Sequence, residues 1–176
     1  MILTERLDLI PATIDLTQAA LDGTAALSAG LRAAVPATWP PEYLDTAALE
    51  YTLDRLAEGD EQAGWWMYFV VLRGDAASRT LIGTAGYKGP SADDGTVEVG
   101  YGIVSDHRRR GYAVEATRAL LTRAFAESAV RRAIAETLPE LTPSIGVLEK
   151  CGFRFIGDGA ETGVIRFELM REEHRP

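Results

Sequence analysis

The feature that most constrains this chain is a change of period inside one stretch, residues 96–126, TVEVGYGIVSDHRRRGYAVEATRALLTRAFA. Val97, Val99, Tyr101 and Ile103 alternate with Glu98, Gly100, Gly102 and Val104, which is the period of a strand. From Gly111 onward Ala113, Thr117, Leu120, Leu121, Ala124 and Phe125 recur at three and four residues, one face of a helix. Between them lies Arg108-Arg109-Arg110-Gly111-Tyr112-Ala113. A strand that passes through a short basic loop into an amphipathic helix commits the chain to packing helices on a sheet. The loop also suits an anion. The first amides of a helix have no internal acceptor and sit at the positive end of its dipole. Gly111 offers no side chain to block an approaching phosphate, and three arginines add forked, permanently charged donors. A solvated basic loop that merely starts a helix explains the triplet alone equally well.

The rest of the chain predicts a mixed α/β domain. Residues 2–10 read as a first strand stopped by Pro11. Residues 13–34 read as two short helices broken at Asp22-Gly23-Thr24. The prolines of 36–41 exclude regular helix; this loop carries Trp39, and with Tyr43 it either lines a substrate pocket or packs on the core. Asp45 caps a helix reaching about residue 58. Strands follow at 65–72 and 80–87, joined by a turn at 73–78, and a second turn at 89–95 leads into the central strand. After the helix that begins at Gly111, residues 133–137 read as a strand parallel to 97–104. Thr142-Pro143 predicts a helix with threonine as cap, closed by Gly152. Two last strands, 153–157 and 163–171, precede a loose tail at 172–176. One domain over residues 1–176 is expected, with no linker or repeat.

Arg-x-x-Gly-x-Ala at 108–113, after a strand carrying Glu98-Val99-Gly100-Tyr101, resembles the acetyl-CoA signature of the GNAT N-acetyltransferases. The Gly-Tyr-Ala-x-Glu-Ala run at 111–116, the block Ser144 to Phe153 and the opening Thr4-Glu5-Arg6-Leu7 resemble the branch that holds the ribosomal-protein acetyltransferases, RimJ/RimL-like. The resemblance implies a mostly antiparallel sheet with one parallel, splayed step and helices on both faces. It implies transfer of an acetyl group from acetyl-CoA to a primary amine, on a protein N-terminus or a small molecule. It places the cofactor diphosphate on Arg109, Arg110, Gly111, Tyr112, Ala113 and Val114, and the pantetheine arm on the backbone of Gly102, Ile103 and Val104. Glu98 would then take the amine's proton, and Ser144 at a helix start would protonate the leaving thiolate. Two departures stand out. Leu148 occupies the position where the family often has a general-acid tyrosine, and Leu141 that of an asparagine near the pantetheine.

Composition narrows the alternatives. With 47% hydrophobic and 25% charged residues the chain is an ordinary globular protein. A net charge of −8 argues against general nucleic-acid binding and is compatible with a cationic substrate. The longest apolar run, residues 65–72, is too short to span a bilayer as a helix. No secretory leader is visible, so cytoplasm is the expected location; a homodimer is left open. Cys151 is the sole cysteine and is expected to pack, not to react. His107 and His174 have no partner at ligand spacing, so no metal is expected. Glu136 is a second carboxylate candidate, whereas the position of Glu115 in a first helical turn needs only the dipole. No Gly-x-Gly-x-x-Gly follows a strand and no Gly-Lys-Ser/Thr occurs, which disfavours nicotinamide and P-loop enzymes. The reading from another class that stays open is an acyl-CoA sensor or interaction module without chemistry.

Overall fold

A computed structural model describes residues 1–74 and 78–175. The strands are β1 (Ile2–Leu3), β2 (Leu7–Pro11), β3 (Met67–Leu72), β4 (Thr80–Tyr87), β5 (Thr96–Ile103), β6 (Arg132–Thr137), β7 (Arg154–Asp158) and β8 (Ile165–Met170). The helices are α1 (Ile14–Asp22), α2 (Thr24–Leu31), α3 (Thr46–Leu56), α4 (Tyr112–Ala126) and α5 (Thr142–Lys150). The strands form a single sheet in the order β1-β2-β3-β4-β5-β6-β8-β7. Every pairing is antiparallel except β5 with β6. This is the mixed α/β GNAT fold expected.

Alternation along β3 shows how the two faces are filled. Tyr68 and Val70 join a core with β5, α4 and α5, while Phe69 and Val71 join a second core with Leu27 and Leu31 of α2. Side chains two apart share a face of a pleated strand, so a strand that is apolar at every position is a strand covered on both sides. Trp39 belongs to the second core, its ring 6.3 Å from that of Phe69. Tyr43 of the same loop is 77% exposed.

The parallel step is short. Only Thr96, Val97 and Glu98 pair with Arg132, Ala133 and Ile134. Beyond them β5 runs on against β4 alone, from Val99 to Ile103, and β6 runs on against β8. The sheet therefore opens between the second halves of β5 and β6.

Three local expectations need correcting. Residues 2–10 are two strands, because Thr4 folds back: its hydroxyl accepts from the Leu7 amide at 2.9 Å and its amide donates to Leu7 O at 3.0 Å. The cap of α5 is Leu141, without a side-chain hydrogen bond, and Thr142 is the first helical residue. The tail is tied down: residues 171–173 form a short 3-10 turn, the Arg171 guanidinium reaches the carbonyls of Glu127 and Val130, and His174 stacks 5.2 Å from Phe125. The expected turn at 73–78 falls partly outside the described residues.

Candidate active site

The basic loop is built by its own backbone and by a distant segment. Gly111 caps α4 at φ 83°, in the left-handed region, with no side-chain cap bond, and the first helical bond runs from Glu115 N to Gly111 O at 3.0 Å. The amides of Tyr112, Ala113 and Val114 consequently lie ahead of the first helical acceptor. Arg109, with φ 60°, also takes the left-handed conformation. Left-handed residues on either side of Arg110 match the alternating backbone of the nests that hold anions.

The three arginines are not equivalent. Arg108 is a strut: its Nε donates to Ile103 O at 2.9 Å and its guanidinium pairs with Glu42 at 2.9 Å. Arg109 and Arg110 are exposed and remain the charged donors of the loop. The loop is braced from behind by the segment Thr4 to Leu7. Glu115 accepts from Thr4 Oγ1 at 2.6 Å, from Arg6 N at 2.8 Å and from Arg6 Nε at 2.7 Å. Arg6 also donates to Arg110 O at 3.0 Å and lies over the Tyr112 ring, 4.6 Å from its centroid. Burial acts to raise the Glu115 carboxyl, but the bonds from Thr4 and Arg6 and the Arg6 charge outweigh it and hold it below the usual carboxylate range. Glu115 thus anchors the basic loop to the Thr4 to Leu7 segment, a role its first-turn position did not disclose.

The open edge of β5 is defined by strand alternation. Glu98 O accepts from Lys88 N at 3.0 Å and Val104 N donates to Ile82 O at 2.9 Å, so even-numbered backbone groups face β4. Those of Val99, Tyr101 and Ile103 face the gap, since residues of a strand alternate edges. Of the three residues expected to receive pantetheine, Ile103 alone turns its amide there, and its carbonyl already accepts from Arg108. Gly102 has another constraint: a Cβ there would meet Pro41 at 3.2 Å, so the loop of the same chain lies over it. Gly100 has nothing within 4 Å and borders a cleft beneath α3.

Glu98 and Ser144 approach β5 from different sides. Glu98 lies on the even face, its side chain 21% exposed, at a cavity of about 580 Å³ shared with Tyr51, Thr52, Trp66, Met67 and Lys88. Its Oε1 is in close ion-pair contact with Lys88 Nζ, outside the geometry of an aligned hydrogen bond. Ser144 is met by Tyr101 from the odd face: the Tyr101 hydroxyl donates to Ser144 O at 2.9 Å and lies 3.2 Å from Ser144 Oγ. Burial pushes the Tyr101 phenol up to about 12, with the Ser144 bond opposing it, so the phenol is neutral at physiological pH. The sequence assigned Tyr101 nothing beyond its place in the strand; that place, in a motif strand opposite the serine block, was the available signal.

The other candidates are engaged in contacts within the fold. Glu136 accepts from Arg166 Nε at 2.8 Å and from Ala160 N at 2.9 Å, and pairs with Arg166. Cys151 is buried with Sγ 3.8 Å from Val114 O, and burial pushes its thiol up to about 11. Leu148 is 1% exposed in the core.

Residues 7–154 match the acetyltransferase (GNAT) domain family. The chain belongs to that family. It is 28% identical over 106 residues to the uncharacterized N-acetyltransferase YjdG of Bacillus subtilis, a match covering 60% of this chain and 61% of that protein. This GNAT chain thus spans about three-fifths of that relative's length. A GNAT-family acetyltransferase structure from Bacillus anthracis superposes with a TM-score of 0.64 and 25% identity, covering 98% of this chain and 99% of the other. RimL, a ribosomal L7/L12 alpha-N-protein acetyltransferase solved with coenzyme A, superposes with a TM-score of 0.63 at 16% identity over 95% of each chain, a likeness of fold.

Proposed function

We propose that this GNAT chain is an N-acetyltransferase that moves the acetyl group of acetyl-CoA to a primary amine, directly, within a ternary complex. The observation that carries the reading is the conjunction of an anion loop at residues 109–114 with an open strand edge that ends at the same loop. A diphosphate accepts from the loop amides and from Arg109 and Arg110, and the extended arm lies along the edge of Val99, Tyr101 and Ile103, as a peptide completes a sheet. RimL binds coenzyme A on the same fold, which supports the ligand but not the acceptor.

In this reading the amine enters from the Glu98 face and attacks the thioester. Negative charge builds on the thioester oxygen, and the Ile103 amide is the oriented donor nearest the loop. Glu98 takes the amine's proton, and Ser144, held by Tyr101, protonates the departing thiolate. That last transfer contributes least, because a thiolate with a pKa near about 8.5 leaves with little help. An α-amine, with a reference pKa of about 7.7–8.0, suits one modest base better than a lysine at about 10.4.

The test is CoA thiol release with purified protein. Glu98→Gln should lower kcat by about 10²–10⁴-fold while acetyl-CoA affinity is kept. Ser144→Ala should cost less, and Cys151→Ala should leave turnover intact. Full activity in Glu98→Gln, or an acetyl group trapped on Cys151, overturns the mechanism. Binding of acetyl-CoA without thiol release toward any amine selects the sensor reading instead.

A further inference from the structure

The acceptor cavity carries a charge arrangement that the proposed base alone does not explain. Lys88 and Glu98 sit side by side at its rim, fixed as neighbours by the bond from Lys88 N to Glu98 O at 3.0 Å. Their side chains meet in an ion pair and both line the cavity. Lys88 is 64% exposed, and a pair in such a setting contributes little stability. It is therefore easily exchanged for other partners. Behind it the walls are aromatic and apolar: the Tyr51 and Trp66 rings meet edge to face with centroids 5.7 Å apart, beside Met67. Trp66 is held in place by a bond from its Nε1 to Gln62 Oε1 at 2.8 Å.

We infer that Lys88 is a specificity-determining residue and that the acceptor is a small aromatic α-amino acid, its carboxylate on Lys88 and its amine on Glu98. The inference rests on the reading of this face as the acceptor side. An incoming simple amine must compete with Lys88 for Glu98 and leaves the Lys88 ammonium with only the more distant charge of Glu136. A zwitterion replaces the one internal pair by two pairs of opposite charge. Pairing with Lys88 also removes the field of the substrate carboxylate that holds a proton on the neighbouring amine, so the proton passes more readily to Glu98. A cavity of about 580 Å³ lies in the range of small-molecule sites, and the edge-to-face ring pair at its wall receives a third ring.

The experiment titrates the full chain with L-phenylalanine, L-phenylalaninamide and phenethylamine, reading binding by calorimetry, and measures CoA thiol release with each in parallel. The expected result is that phenylalanine binds about tenfold or more tighter than the amide or the amine. Lys88→Met should erase that preference and Lys88→Arg should retain it. Equal or tighter binding of the uncharged-tail ligands, no binding of phenylalanine, or a preference that survives Lys88→Met overturns the inference. Preferential phenylalanine binding without thiol release upholds the ligand class and refutes acetyl transfer. Thiol release with phenethylamine but not phenylalanine does the reverse.

Discussion

Gly111 is where the anion loop can be tested with shape and charge separated. Its φ of 83° lies in a region that costs an ordinary L residue about 1–2 kcal/mol, but asparagine and aspartate tolerate it better than other residues. A Cβ there meets only Arg6 Nη2, at 3.3 Å, the far end of a flexible side chain. Gly111→Asp therefore folds. Its carboxylate falls beside the Arg6 guanidinium, which offsets part of the backbone strain. A loss of about 1 kcal/mol, or a melting temperature lower by about 2–4 °C, is expected. Binding should respond far more strongly. A backbone amide bonded to a charged phosphate contributes about 1.5–3 kcal/mol. Denying the diphosphate two of them removes about 3–6 kcal/mol, or roughly 10²–10⁴-fold in Kd. Gly111→Asn has nearly the same shape and no charge, and should keep much of the affinity. Calorimetry with acetyl-CoA and a thermal melt on the three proteins decide it. Wild-type affinity in Gly111→Asp would falsify the placement of the diphosphate, and an equal loss in both variants would show that bulk, not charge, excludes the ligand.

Two further expectations concern how the site is held. Glu115→Gln should destabilise the protein at pH 7 by about 1–2 kcal/mol, discounted because Arg6 is 41% exposed. The Glu115 carboxyl is held below its ordinary value in the folded chain, so its contribution is complete above the usual carboxylate range, about 4.3, and is lost as pH falls through the lower folded value. The gap between wild type and variant in urea denaturation should therefore narrow toward acid; a gap independent of pH would remove the carboxylate from the account. Tyr101→Phe should lower kcat without weakening acetyl-CoA, and by no more than Ser144→Ala if the phenol acts through the serine. Combined in one chain the two losses should fall short of their product; simple additivity in that cycle would show them acting separately.

What the sequence disclosed follows the reach of its interactions. The switch from strand to helix, the break at Gly23 with φ 120°, the Asp45 cap bonding Ala48 N at 2.9 Å and the stop at Gly152 with φ 90° depend on neighbours within a few residues. Each was legible because the residue type and the backbone requirement lie at one place. The brace of the anion loop was not, since Arg6 and Glu115 are joined only by the fold. The block Thr4 to Leu7 resembled a family signature before it had a task. The structure supplies one: a threonine and an arginine that grip the first turn of α4. Of Gly102, Ile103 and Val104 only Ile103 faces the open edge, for a related reason. Which strand edge a residue faces depends on the partner's register, and that register is set by Ile82 of β4 and by Lys88 just after it.

The placement of Glu98, Tyr101 and Ser144 bears on the order of events. β5 stands between two compartments: the aromatic cavity on its even face and the gap toward β6 and α5 on its edge and odd face. In the proposed reaction the proton leaves the amine on one side and returns to the thiolate on the other. A covalent acetyl-enzyme would need a nucleophile exposed to both. Cys151 is exposed to neither, with its sulfur against Val114 O and its ionisation suppressed by burial. Among the described residues the hydrogen-bond partner of Ser144 Oγ is a phenol that is itself neutral. Direct transfer needs just that the two ligands meet across the backbone between Glu98 and Ile103, where Gly100 leaves the face open. Gly100→Val should close that passage. It should leave the loop, and with it acetyl-CoA affinity, unaltered while raising the KM for the amine. A rise in the Kd for acetyl-CoA alone would put the meeting point elsewhere.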